Sequence, residues 1–255
     1  MKISVIGKGW VAQSMIKLFP DAYVYSNGKS GEVGTKEEAN KGDVAFICVP
    51  SPNIGEGKLD TSYVEEVVAW CECPILVMRS TVNPGTCDYL EKKYGKRIVM
   101  QPEFLGETPA HPMLDPKTRQ WIILGGWKED TRKIIEVYQQ VYNANTLIRQ
   151  VTAYEAEVIK LTENRAIAFK VAQIQELYDV CEKAKIDFYT IRDAVYGDDP
   201  RFNLWWTFVY PQKRGFSSKC IPKDIYAWCA WAESLGYEPD ITRAILKRNN
   251  VWISA

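Results

Sequence analysis

One residue that could do covalent chemistry is Cys220, at a loop-to-helix junction in Gly215-Phe216-Ser217-Ser218-Lys219-Cys220-Ile221-Pro222-Lys223-Asp224. A thiol near ammonium groups and a helix N-terminus is drawn below its free pKa of about 8.5, which favours the nucleophilic thiolate. The commoner role of cysteine is that of a small buried hydrophobe. Cys48, in an apolar strand run, and Cys181, on an apolar helix face, are read that way. Glu157, Lys160 and Asn164 are spaced i, i+3 and i+7, so they share one helix face. Spacing alone favours a solvated polar stripe for these three. A single histidine, His111, disfavours a histidine-centred metal site or a Ser/His/Asp triad. Chemistry falls to Cys, Lys, Glu, Asp, Asn or Thr.

A second kind of chemistry is signalled near the N-terminus, where Ile3 to Ile6 leads into Gly7-Lys8-Gly9-Trp10-Val11-Ala12 and then a helical pattern. Glycines at such a strand-to-helix turn let a pyrophosphate approach the helix N-terminus. The match alone could be a glycine-rich turn; its setting points to a dinucleotide site. The acidic residue expected about 20 residues on, at the end of the second strand, is missing. Ser26 and Asn27 take its place, with Lys29 following. A carboxylate there would bind the ribose hydroxyls and repel a 2′-phosphate, so its loss weakens the case for NAD over NADP; NAD is still the favoured cofactor and NADP stays open. Three further stretches each follow a strand pattern: Val49-Pro50-Ser51-Pro52, Arg79 to Thr86, and Gln101 to Glu107. That places them at the carboxyl edge of a sheet, where open α/β sheets bind ligands. For Pro50 and Pro84, turn formation explains the residue type equally well.

The elements that must hold these residues are legible as two regimes. Strands are expected at Ile3 to Ile6, Ala22 to Tyr25, Val44 to Val49, Ile75 to Met78, Arg97 to Met100 and Gln120 to Leu124. Continuous apolar runs predict strands buried on both faces, hence a doubly wound, Rossmann-like parallel sheet covered by helices. From Thr152 helical periodicity takes over, and Thr152 with Glu155 fits a capping box. No proline or glycine interrupts the chain to Tyr196, so one long helix is expected over most of Thr152 to Lys183. The reading is a cofactor domain over 1–150 and an all-helical central domain over 151–255. A helix that long implies packing against a second subunit.

The chain has 255 residues, 46% hydrophobic and 25% charged, an ordinary globular composition. Its 32 basic residues cancel its 32 acidic ones, so no global field favours nucleic acid or anionic lipid. The longest apolar run, Val44 to Val49, is far short of the roughly 18 residues of a membrane span. Met1 is followed at once by Lys2 and a strand pattern, without a signal peptide, and seven cysteines read as reduced thiols. A cytoplasmic protein is expected.

Taken in order, the Gly7-x-Gly9 turn, Val49-Pro50-Ser51-Pro52, Ser80-Thr81-Val82-x-Pro84-Gly85-Thr86, Pro102-Glu103-Phe104-Leu105-x-Glu107, Glu157-x-x-Lys160-x-x-x-Asn164, Asp199-x-Arg201 and Gly215-Phe216-x-x-x-Cys220-x-x-Lys223-Asp224 resemble the UDP-glucose/GDP-mannose 6-dehydrogenase family. The resemblance implies a four-electron oxidation of a sugar C6 alcohol to a carboxylate with two NAD, most simply UDP-glucose to UDP-glucuronate. It implies that Cys220 attacks the intermediate aldehyde and that a thioester is then hydrolysed. Lys160 and Asn164 would donate to an oxyanion, Glu103 would act as base or orient water, and Asp224 with Thr81 would position a water. Gly7, Gly9, Trp10, Val11, Asn27, Val49, Pro50, Ser51, Thr81 and Glu107 would line the cofactor. Phe104, Leu105, Glu107, Lys160, Asn164, Arg201, Phe216 and Lys223 would line the substrate, Arg201 reaching across a homodimer built on the long helix.

The resemblance also has departures. Ser217 and Ser218 stand where the family has glycines, the segment from Ser26 to Asp43 is short, and the family's third, C-terminal domain would begin where the chain stops at Ala255. Two other readings are open: a two-electron dehydrogenase of the 3-hydroxyacid type, in which Cys220 is incidental, and a non-catalytic nucleotide-binding or assembly module.

Overall fold

The structure, a computed structural model, describes residues 1–28, 31–106, 115–118 and 121–254. The chain divides into two compact units, Met1–Lys160 and Leu161–Ala255.

The first unit is a seven-stranded sheet in the order β2-β1-β3-β4-β5-β6-β7. Its strands are β1 (Ile3–Ile6), β2 (Tyr23–Tyr25), β3 (Val44–Ile47), β4 (Ile75–Met78), β5 (Ile98–Met100), β6 (Trp121–Gly125) and β7 (Leu147–Val151). The helices are α1 (Trp10–Leu18), a single turn α2 (Lys36–Ala39), α3 (Ser62–Trp70), α4 (Thr86–Tyr94) and α5 (Lys128–Tyr138). β1, β3 and β4 are buried throughout, as their unbroken apolar runs predict. Alternate residues face opposite cores. Val5, Phe46 and Val77 pack with Met15 of α1 and Tyr138 of α5 on one side. Ile6, Ile47 and Met78 pack with Val64 of α3 and Leu90 of α4 on the other. Fully burying each such side chain stabilises the fold by about 1.5–3 kcal/mol.

Several boundaries differ from the sequence expectation. β2 starts at Tyr23 rather than Ala22, β3 ends at Ile47 rather than Val49, β5 starts at Ile98 rather than Arg97, and β6 is Trp121–Gly125. Gln120 lies outside the described residues. The sheet is also not uniformly parallel, because β6 runs antiparallel to β5. A parallel neighbour needs a crossover, usually a helix; the described part of this connection holds only a 3-10 turn at Pro116–Thr118. β7 was not anticipated: it is a largely exposed edge strand without an apolar run.

The second unit is helical. α6 (Ala153–Ala184) gives its first turns to the first unit and the rest to the second. Its start carries the expected capping box: Thr152 N–H donates to Glu155 Oε2 at 2.8 Å and Glu155 N–H to Thr152 Oγ1 at 3.2 Å. α7 (Phe188–Arg192) runs into a π turn at Asp193–Gly197, followed by a long loop, α8 (Ile221–Ser234) and α9 (Asp240–Ser254). Ala168, Phe216, Ile225, Cys229 and Leu246 form one core cluster; Ile174, Cys181, Phe188, Tyr196 and Val209 form another. Among the described residues no helix is long and apolar enough to cross a membrane.

Candidate active site

At the end of β1, Gly7 has φ +116° and a Cβ there would meet the Cys48 carbonyl oxygen at 2.4 Å, so only glycine lets β1 and β3 approach this closely. Gly9 precedes α1, whose first turn has no side-chain cap. A Cβ on Gly9 would meet nothing within 4 Å. An uncapped helix N-terminus opening onto free space, beside a glycine-only turn, suits a pyrophosphate. Trp10 is exposed and Val11 half-buried at the head of that helix. Ser26 is buried at the end of β2 and Asn27 is exposed.

The loops after β3 and β4 are fastened together. Ser80 Oγ donates to the Val49 carbonyl at 2.7 Å, which sets Val49, Pro50 and Ser51 beside Ser80 and half-buried Thr81. Cys48 belongs to the packing: burial pushes its thiol up to about 12. The loop then enters α4, whose N-terminus is capped from a distant helix. Glu157 of α6 accepts from Gly85 N–H at 2.5 Å and from Cys87 N–H at 2.8 Å. Burial pushes the Glu157 carboxyl up to about 7 against the pull of those amides.

After β5, Glu103 is buried against the Arg79 guanidinium and also accepts from Phe104 N–H and Leu105 N–H, each at 2.7 Å. Lys160 Nζ lies 5.4 Å from the centre of the buried Phe104 ring, a cation–π contact. Phe104 and Lys160 are therefore neighbours, although far apart in sequence. Glu107 and His111 lie outside the described residues.

In the second unit, Asn164 Nδ2 donates to Asp224 Oδ2 at 2.5 Å and Lys223 Nζ donates to Asp224 Oδ1 at 2.7 Å. Asp224 is fully buried, so both carboxylate oxygens are satisfied within the protein. Asp224 lies in the first turn of α8, and its N–H bonds back to the carbonyl of Cys220, the residue that heads the helix. Cys220 is half-buried, whereas the other six cysteines are buried. The loop before it is pinned to α9: Phe216 N–H donates to Asn249 Oδ1 at 2.8 Å, and Asn249 Nδ2 donates to the Phe216 carbonyl at 2.9 Å. Arg201, highly exposed, is paired with Asp199 at 2.6 Å.

The solvated-stripe reading of Glu157, Lys160 and Asn164 is overturned. All three are buried, at 0%, 8% and 5% exposure, each against a different partner. A polar face is solvated only if nothing packs on it, and here the loops at 85–87 and 104 and helix α8 do. Sequence reasoning missed Arg79 and Asn249 as partners. A basic residue ending an apolar strand was the available hint for Arg79; Asn249, in a polar stretch of α9, gave none.

Two family models match the chain: the UDP-glucose/GDP-mannose dehydrogenase family NAD binding domain over residues 20–145 and the central domain of the same family over 154–251. The chain belongs to the UDP-glucose/GDP-mannose dehydrogenase family. The glycine turn precedes the matched range and rests on its own geometry. Similar proteins include the UDP-glucose 6-dehydrogenase of Rhizobium meliloti, 30% identical over 249 residues, covering 89% of this chain and 54% of that protein. The UDP-glucose 6-dehydrogenase of Rickettsia bellii is 28% identical, covering 84% and 50%. The GDP-mannose 6-dehydrogenase of Pseudomonas aeruginosa is 29% identical, covering 87% and 54%. The chain thus spans about half the length of the curated relatives it matches. Among solved structures, a UDP-glucose dehydrogenase from Pyrobaculum islandicum shares the fold with a TM-score of 0.80 at 24% identity, over 98% of this chain and 68% of that one.

Proposed function

We propose that this chain is a cytoplasmic, NAD-dependent nucleotide-sugar 6-dehydrogenase that oxidises the sugar C6 alcohol to a carboxylate, with UDP-glucose as the first substrate to test. The observation that carries this reading is the half-buried Cys220 heading α8, one turn before an Asp224 held by Asn164 and Lys223. Names of similar proteins support the substrate class. The uncapped α1 N-terminus and the glycine-only turn fit a dinucleotide, which would supply the hydride acceptor for both oxidations.

The remaining work falls to side chains. The Cys220 sulfur attacks the C6 aldehyde carbon, forming a C–S bond while the carbonyl electron pair moves to oxygen, which then takes a proton. Loss of the hydroxyl proton to water and of hydride from C6 to the dinucleotide acceptor would leave a thioester; water adds to its carbonyl, the C–S bond breaks, and carboxylate, thiol and a proton are released. Lys160 offers its ammonium to the oxyanion, and Asn164, with one amide hydrogen on Asp224, has a second to offer. The Arg79 pair and two backbone amides favour an ionised Glu103, which suits a residue that orients the hydrolytic water rather than one that holds a proton. Thr81 and Asp224 position the water that takes the first proton. Phe104, Leu105, Phe216 and Lys223 contact the sugar nucleotide, and residues 1–150 and 151–255 act as cofactor and substrate domains.

We further assign the functional form to a homodimer built on the long helix, with Arg201 reaching the partner's substrate. Phe202, Leu204, Trp205, Phe208 and Tyr210, all exposed around Arg201, support a buried interface there.

A panel of nucleotide sugars incubated with NAD tests the reaction class. The expected result is two NADH per sugar consumed for one member of the panel; one NADH per sugar would favour a two-electron alcohol dehydrogenase instead.

A further inference from the structure

We infer that the dinucleotide site of this chain holds a 2′-phosphorylated adenosine ribose at least as tightly as an unphosphorylated one. The inference rests on the dinucleotide reading above and concerns its specificity.

In a doubly wound sheet the end of the second strand lies beside the first strand-to-helix turn and faces the ribose hydroxyls, and a carboxylate there selects NAD. In this chain the position carries no acid. β2 stops at Tyr25 and the chain folds back at once, Ser26 and Val33 exchanging backbone hydrogen bonds of 2.9 and 2.8 Å. The hydroxyl of Ser26 and the amide of Asn27 can each donate to a phosphate oxygen, and neither repels one. Glu32, the acid of this segment, is exposed on the return limb beside Val33.

A second observation supplies a cation. Lys8, between the two glycines of the turn, extends its side chain toward the folded-back segment. Its Nζ lies 3.4 Å from where a side chain on Gly31 would begin. The ammonium of the glycine turn therefore lies beside Gly31, in the segment that follows the second strand. A lysine there acts as a point charge toward a phosphate dianion and has little to offer a pair of neutral hydroxyls.

Calorimetric titration of the full chain with NAD and with NADP, without sugar, tests this directly. The expected Kd for NADP is equal to or below that for NAD. Lys8→Ala should weaken NADP about tenfold and NAD about twofold or less, the loss of one charge-assisted contact. Ser26→Asp should move the ratio toward NAD by about tenfold. Asn27→Asp, at the exposed position, makes the same test if the buried replacement fails to fold. A wild-type chain that binds NAD more tightly than NADP overturns the inference and leaves the dinucleotide reading standing, as does equal weakening of both by Lys8→Ala. Failure to bind either dinucleotide overturns both.

Discussion

Glu157 shows how a residue's surroundings decide its role. The carboxylate accepts two amide hydrogens at the N-terminus of α4, a favourable place for negative charge, yet full burial raises its pKa from 4.5 to about 7. The folded state therefore binds a proton that the unfolded state has released between about pH 4.5 and 7, and stability falls as pH rises through that window. Glu157→Gln removes the titration. The stability of the native chain relative to this variant should decline by up to about 3 kcal/mol from pH 4.5 to 8, measured by urea unfolding at each pH. A difference constant with pH would contradict the assignment. Cys220, Lys160, Asn164 and Asp224 were singled out beforehand by their place in the family pattern, not by spacing alone. Burial was not legible, because a helix face takes its environment from whatever packs against it, and the partners of Glu157, Lys160 and Asn164 lie 56 to 72 residues away.

At the scale of elements, the turn between β1 and α1 separates folding from binding within three residues. Gly7→Ala would force a Cβ into the Cys48 carbonyl from a positive φ and should cost several kcal/mol in thermal or chemical unfolding. Gly9→Ala meets open space in the protein, so stability should change by less than about 1 kcal/mol, whereas dinucleotide affinity should fall because the added methyl occupies the pyrophosphate's approach. Equal loss of stability in the two variants would contradict this division. The central strands and the long helix were readable because each has a sustained pattern: apolar runs for β1, β3 and β4, and an uninterrupted helical period behind a capping box for α6. β7 was not readable, since an exposed edge strand alternates weakly and follows a polar turn. The reversal of β6 also escaped the sequence, because strand direction depends on the path of the connection rather than on the strand's own residues.

For the molecule as a whole, the residues assigned to the proposed reaction are spread along the sequence, from the glycine turn through Thr81, Glu103, Lys160 and Asn164 to Cys220 and Asp224, with α6 carrying Lys160 and Asn164. No single one of these side chains defines a 6-dehydrogenase, because an alcohol oxidation that stops at the aldehyde needs no thiol. The covalent sulfur step separates the two outcomes. The most direct measurement is therefore product analysis of Cys220→Ser beside the unaltered chain, counting NADH and carboxylate formed from UDP-glucose. The account predicts two NADH and one carboxylate per sugar for the unaltered chain and no carboxylate from the serine variant. Carboxylate formed by Cys220→Ser at the unaltered rate would contradict it.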